Sequence, residues 1–382
     1  MARSAIRPDN VLRLARRTLS CPTAPYREGE VIAWLREFSA ARPHLRLGED
    51  ADGNVSVRRR GVRASRAPLV LAAHMDHPGF RARRCAARRD GGFRVEADFL
   101  GGVPLSSFAG ARARFFHDGE EIRARVERAA LDRRSGRKRV VLRARRPVPA
   151  GAYGMWDLPA FRYSPDRDLI ESRAVDDLAG LAAILALLDA VDRIDRRRRV
   201  DVRGLFTRAE EVGFVGALSV AAGKRLPRAA RIVAIEASMA LPDAPQGAGP
   251  IVRVGDRTSV FDDRLTRWIS GVGLRLAGPK GGRFAWQRKL MDGGTCESTA
   301  YQLFGYRCAG MCLPLGNYHN VGRGGRIAPE SIRRSDLVGL VRFFEGLVRD
   351  DGPTAAAGDP LRKRLDTLLA RSRRDLARDP FA

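Results

Sequence analysis

A chain of 382 residues with 44% apolar content is long enough for two domains and for a sizeable core, which excludes a disordered protein. The formal net charge of +26 raises nucleic acid or an anionic surface as a partner, yet only five of the 70 basic residues are lysines, a choice that reads as composition bias rather than one binding face. No stretch reaches the ~18 apolar residues of a membrane span.

The basic runs at 58–60, 133–139 and 196–199 fall at a strand end, a hairpin tip and a helix-to-strand link, where solvated surface is expected, and no recognised nucleic-acid module accompanies them. Nucleic acid and membrane are therefore not expected as partners. Arg13, Arg16 and Arg17 interrupt the opening segment where a signal peptide needs an apolar run. The cysteines, Cys21, Cys85, Cys296, Cys308 and Cys312, are odd in number and scattered. A reduced, cytoplasmic protein is expected.

In chain order, helical periodicity covers residues 9–20 and 28–41, a turn at 52–54 introduces a strand from Val55, and the apolar run from Pro68 to Ala73 predicts a buried strand that delivers His74 at its far end. Residues 80–165 break into short alternating pieces punctuated by glycine and proline, the texture of a small β-rich domain. A buried helix follows from Leu178 to Val191, then a strand at 200–206, a helix at 213–222 and a strand at 232–235. This alternation predicts a doubly wound α/β sheet with helices on both faces. Further helices are expected at 265–276 and 294–304, a strand at 308–313, and a helix over 329–349 opened by Pro329-Glu330. Residues 351–382 read as a loop followed by a basic C-terminal helix or tail.

Acidic and histidine motifs stand just after the strands: His74-Met-Asp76, Asp176-Asp177, Glu210-Glu211-Val-Gly213, Glu236 and His319-Asn320. Ligands of open α/β sheets collect at the carboxyl ends of the strands, so these motifs share an address. A pair of divalent metals needs about five protein ligands with one carboxylate shared. His74, Asp176, Glu211, Glu236 and His319 meet that count.

The ordered set of motifs resembles the dinuclear zinc aminopeptidases of the glutamyl and tetrahedral (TET) aminopeptidase type, over roughly residues 5–350. The 100 residues from Asp76 to Asp176 leave room for the β-domain which that family inserts. The resemblance implies a three-layer α/β/α metallopeptidase domain in residues 1–79 and 166–350, a β-rich domain inserted at 80–165, and an appended basic segment at 351–382. It implies that Asp176 bridges two divalent ions, zinc or else cobalt or manganese, with His74 and Glu236 on one and Glu211 and His319 on the other. Glu210 would be the catalytic base acting on a water between the ions, and Asp76 would hydrogen-bond the far nitrogen of His74 and fix its orientation. Peptides with a free N-terminus would be the substrate, and a homo-oligomer from dimer to dodecamer the assembly. A related amidohydrolase, deacylase or carboxypeptidase, would share the metal core, and a noncatalytic basic scaffold for nucleic acid is the reading from another class. His77, where the family usually has Glu, is either an additional donor at the site or an exposed loop residue; Cys296 is a small packing residue, and His44 and His117 have no special role.

Overall fold

The computed structural model describes residues 4–197, 200–279, 282, 284–350, 352–353 and 360–377. The chain opens with α1 (Pro8–Leu19), α2 (Gly29–Ala40), β1 (Leu45–Glu49), β2 (Val55–Arg59) and β3 (Leu69–His74). Next come β4 (Gly79–Ala87), β5 (Phe93–Leu100), β6 (Arg112–His117), β7 (Glu120–Asp132), β8 (Arg137–Ala144) and β9 (Tyr153–Trp156). The remainder runs β10 (Arg162–Ser164), β11 (Leu169–Ser172), α3 (Leu178–Ile194), β12 (Val202–Thr207), α4 (Val215–Ala222), β13 (Arg231–Met239), β14 (Ile251–Gly255), α5 (Asp263–Ala277), β15 (Gln287–Leu290), α6 (Glu297–Leu303), β16 (Arg307–Leu315), β17 (Glu330–Arg333), α7 (Arg334–Arg349) and α8 (Pro360–Leu376).

Eight strands form the main sheet in the order β1-β2-β12-β3-β13-β16-β14-β15. Its centre, β12-β3-β13-β16, is parallel throughout. Because side chains alternate across a strand, β3 divides its apolar residues between two cores. Leu69, Leu71 and Ala73 join α1, α3 and α7 on one face, while Val70 and Ala72 join α4 and α6 on the other. Helix α3 is almost continuously apolar and correspondingly buried nearly all round. The result is the α/β fold with helices on both faces that the alternation of elements predicts.

Strands β4 to β9 close into a separate barrel in the order β4-β5-β8-β7-β6-β9. Its interior is aromatic, with Phe80 against Trp156 at 4.8 Å and Phe99 against Phe108 at 4.9 Å, both edge-on. The barrel ends at Trp156; β10 pairs outside it, with β11 and then β17 in a three-stranded sheet.

That small sheet corrects one expectation. The helix expected over 329–349 begins only at Arg334, and residues 330–333 are strand β17. Glu330 and Ile332 are fully buried while Ser331 and Arg333 are not, a period of two that pairing with β11 satisfies and a helix would break. The polar β15 is a further strand that the hydrophobic pattern does not announce, and the short β1 and β14 are further strands that lie outside the expected elements. In the C-terminal segment α8 forms over Pro360–Leu376; residues 351, 354–359 and 378–382 lie outside the described residues, as do 198 and 199 of the basic link.

Candidate metal centre

The carboxyl ends of the four parallel strands converge on one side of the sheet. His74 is the last residue of β3, Glu236 lies within β13, Glu210 and Glu211 follow β12, and His319 follows β16. Asp176 precedes α3, and its bond to Asp177 is cis. All five residues proposed as ligands, with Glu210, are thereby brought together.

Two sets of donors share Asp176: His74, Asp176 and Glu236, and Asp176, Glu211 and His319, the atoms of each set within 4.8 Å of one another. His74 Nε2 lies 3.5 Å from Asp176 Oδ1 and 3.8 Å from Glu236 Oε2. On the other side His319 Nε2 lies 3.8 Å from Asp176 Oδ2 and 3.3 Å from Glu211 Oε1. The two oxygens of Asp176 thus face different histidines. Glu210 Oε2 stands 3.9 Å from His74 Nε2, and Glu210 forms a third set with His74 and Glu211.

Backbone carbonyls decide which imidazole nitrogen faces inward. Nδ1 of His74 donates to the Asp76 carbonyl at 3.0 Å, and Nδ1 of His319 donates to the Gly102 carbonyl at 3.1 Å. Each Nε2 is thereby turned toward the cluster, the atom that a proton or a cation would take. His74 Nε2, Glu211 Oε1 and Glu236 Oε1 are buried side-chain atoms that meet no hydrogen-bond partner among the described residues. An orphaned buried polar atom costs about 1–3 kcal/mol. Imidazole nitrogen with carboxylate oxygen is the donor set of zinc and similar divalent ions, so these residues fit two cations.

The surrounding carboxylates hold backbone. Asp76 Oδ1 and Oδ2 accept from the amides of Glu210 and Glu211 at 2.9 and 3.1 Å. Its carboxylate stands 3.6 Å from His74 Nδ1, beyond hydrogen-bond reach, so the expected carboxylate–imidazole bond is made by the Asp76 carbonyl instead. Glu28, fully buried, accepts from the Ala209 amide and from Arg208 Nε. Glu330 accepts from the amides of Val175, Asp176 and His319 at 2.7, 3.1 and 2.9 Å. These anchors sit where the chain is strained: Ala209, Asn317, His319 and Asn320 all adopt positive φ, a conformation that costs a non-glycine residue about 1–3 kcal/mol.

His77 is buried, which excludes the exposed-loop alternative. Its Nδ1 lies 2.7 Å from the Asp176 carbonyl and its Nε2 3.0 Å from Asn320 Oδ1. Cys296 is buried with its thiol pushed well above the ordinary range by desolvation, in keeping with packing. His44 bonds the Leu188 carbonyl and His117 approaches Asp118, both far from the cluster in sequence and bonding.

The cluster holds more negative charge than its burial tolerates. Desolvation raises Glu210 well above the usual carboxylate range, with Glu236, Glu211 and Asp76 adding repulsion against the opposing effect of His74. Glu236 is pushed up to about 8, first by burial and then by Asp176. Burial alone would lower His319, but Glu211 and Asp176 outweigh it and raise the imidazole to about 9. Asp176 goes the other way, its desolvation overcome by His74 and His319. Protons and cations compete for such a site.

Residues 144–324 match the M42 glutamyl aminopeptidase family. The M42 stretch contains Asp176, Glu210, Glu211, Glu236 and His319; His74 and Asp76 precede it. Among solved structures, an aminopeptidase from the archaeon Desulfurococcus kamchatkensis superposes with a TM-score of 0.73 at 19% identity, covering 91% of this chain and 96% of that one. A TET aminopeptidase from a marine-sediment Thaumarchaeota archaeon gives 0.71 at 17% identity, covering 90% and 97%. The TET1 peptidase of Pyrococcus horikoshii, which can assemble into a tetrahedron or a large octahedral shell, gives 0.69 at 17% identity, covering 88% and 99%. At such identities the likeness is one of fold. No curated protein matches the sequence.

Proposed function

We propose that the chain is a dinuclear metallo-aminopeptidase that removes N-terminal residues from peptides with a free α-amine. The observation that carries this reading is the Asp176 carboxylate set between two groups of donors with Glu210 at their side. When bound, a pair of divalent ions, zinc or else cobalt or manganese, supplies Lewis acidity and lowers the pKa of water from ~15.7 toward ~7. His74 and Glu236 would hold one ion, Glu211 and His319 the other, and Asp176 both. Glu210 takes the proton of the attacking water and returns it to the leaving amine, with Asp76 holding the backbone amides of Glu210 and Glu211 so that the two side chains diverge. His77 and Glu330 brace the backbone of Asp176 from behind.

In this reading residues 1–79 and 166–350 form the catalytic domain, 80–165 carry the inserted barrel, and 351–382 are an appended basic segment. We place the protein in the cytoplasm, in keeping with its five free cysteines, and as a homo-oligomer by analogy with the assembling TET1 peptidase. Aminoacyl-anilides and their N-acetylated forms, offered to the metal-loaded chain, test the substrate class. The free-amine series should be cleaved and the blocked series spared, whereas equal cleavage of both would make the chain a general amidohydrolase.

A further inference from the structure

The inward positions of β8 are Lys138, Val140, Leu142 and Ala144, and the last three are buried in the barrel core. Lys138 stands at the end of that row, opposite Phe99 in register, with its ammonium 5.9 Å from the Phe99 ring centroid. An apolar residue would fill such a position without desolvating a charge. Burial lowers the Lys138 pKa, and the charge that opposes this is Glu211 of the metal centre. Among the described residues no carboxylate lies within 4 Å of the ammonium. Its bond goes instead to the Gly101 carbonyl, at 2.6 Å.

The next carbonyl along the chain, that of Gly102, is the one that accepts from His319 Nδ1. The two glycines have no slack. Gly101 has φ +111° and a Cβ there would meet Pro78 at 2.7 Å, while a Cβ on Gly102 would stand 3.1 Å from His319 Nδ1. Lysine, two glycines and histidine therefore form one chain of contacts from the barrel to the sheet domain.

We infer that Lys138 is a positioning residue of the metal centre: by holding the Gly101 carbonyl at the barrel mouth it places the Gly102 carbonyl that fixes the ring and tautomer of His319. The inference rests on the metallo-aminopeptidase reading and deepens it. Two effects of opposite sign follow from the same side chain. By holding the loop that carries the Gly102 carbonyl, Lys138 strengthens cation binding; the direct partner of a ligating histidine is typically worth ~10–100-fold in metal affinity, which sets the upper bound for a residue acting through it. As a positive charge facing Glu211, it would weaken cation binding. Two hydrogen bonds, joined by the Gly101–Gly102 peptide, connect Lys138 to His319, and this short path makes positioning the larger effect.

Zinc binding by the full chain, measured by competition with a chromogenic chelator, tests this in Lys138→Met, Lys138→Arg and Gly102→Ala. The wild type should hold two ions; Lys138→Met should hold one as before and the other more weakly, by up to ~10–100-fold. Lys138→Arg, which keeps a donor and the charge, should restore the wild-type curve, and Gly102→Ala should weaken the same ion by displacing His319. The zinc-free melting temperature should be unchanged in Lys138→Met; if that variant does not fold, Lys138→Ala, which removes the same bond without adding bulk, carries the test. Unchanged or tighter zinc in a folded Lys138→Met or Lys138→Ala overturns the positioning role. A wild-type chain that binds no zinc would instead sink the metal-centre reading itself.

Discussion

Glu210 and Glu211 are adjacent in the chain, yet their carboxylates part: Glu211 Oε1 approaches His319 Nε2 at 3.3 Å and Glu210 Oε2 approaches His74 Nε2 at 3.9 Å. Replacing Glu210 by Gln should lower turnover by ~10²–10⁴ while metal content, read by elemental analysis, stays at the wild-type level; loss of metal together with activity would make Glu210 a ligand rather than the base. Glu330 tests the scaffold. Glu330→Ala leaves the amides of Val175, Asp176 and His319 without their acceptor, at about 1–3 kcal/mol each, so urea denaturation should register several kcal/mol in all. A loss below ~0.5 kcal/mol would show that water replaces the carboxylate without cost. The motif residues were legible because each stands at the end of an apolar run. Glu330 was not, since Pro-Glu before a helical pattern is also how a helix opens. His77 was half-legible: the Pro78-Gly79 that follows signals a loop, and only the assembled structure shows Asp176 and Asn320 closing over the ring.

At the scale of elements, strongly periodic or continuously apolar segments were read within a few residues, α1, α3, β3 and α5 among them. The failures have a common cause. β15 is Gln-Arg-Lys-Leu and β17 is Glu-Ser-Ile-Arg, strands specified by neighbours distant in sequence rather than by their own pattern. The alternating texture of the barrel was visible, but its closure depends on β4 meeting β9 about seventy residues later, which no local window records. Ile332 distinguishes strand from helix at β17: fully buried and facing the main core, it should cost about 2–5 kcal/mol when changed to Ala. If that substitution proves neutral in urea denaturation, the residue is not packed as β17 places it.

For the whole molecule, the cluster couples folding, pH and metal. In the metal-free chain Glu236, raised to about 8, keeps its proton on folding, so its contribution to stability falls as pH rises from the unfolded carboxyl value through 8. His319, raised to about 9, contributes stability that is complete below its unfolded value near 6.5 and is lost as pH rises through 9. Both make the metal-free fold weaker from pH 6.5 to 9. Cations displace these same protons, so the rise in melting temperature on adding zinc should grow between pH 6 and pH 8.5. A rise that shrinks with pH would mean that zinc binds elsewhere. Several surface arginines are engaged in local ion pairs such as Arg36–Glu49 and Arg88–Asp90, which cancel locally and leave the net charge of +26 to the remaining basic residues. The most direct measurement is the number of divalent ions held by the wild type and by Asp176→Ala after equilibration with zinc and removal of the excess. Two ions per wild-type chain, with a loss of both or of cooperative binding in Asp176→Ala, is the result predicted for a shared carboxylate; a wild type with no ion pair, or a variant that still holds two, would contradict it.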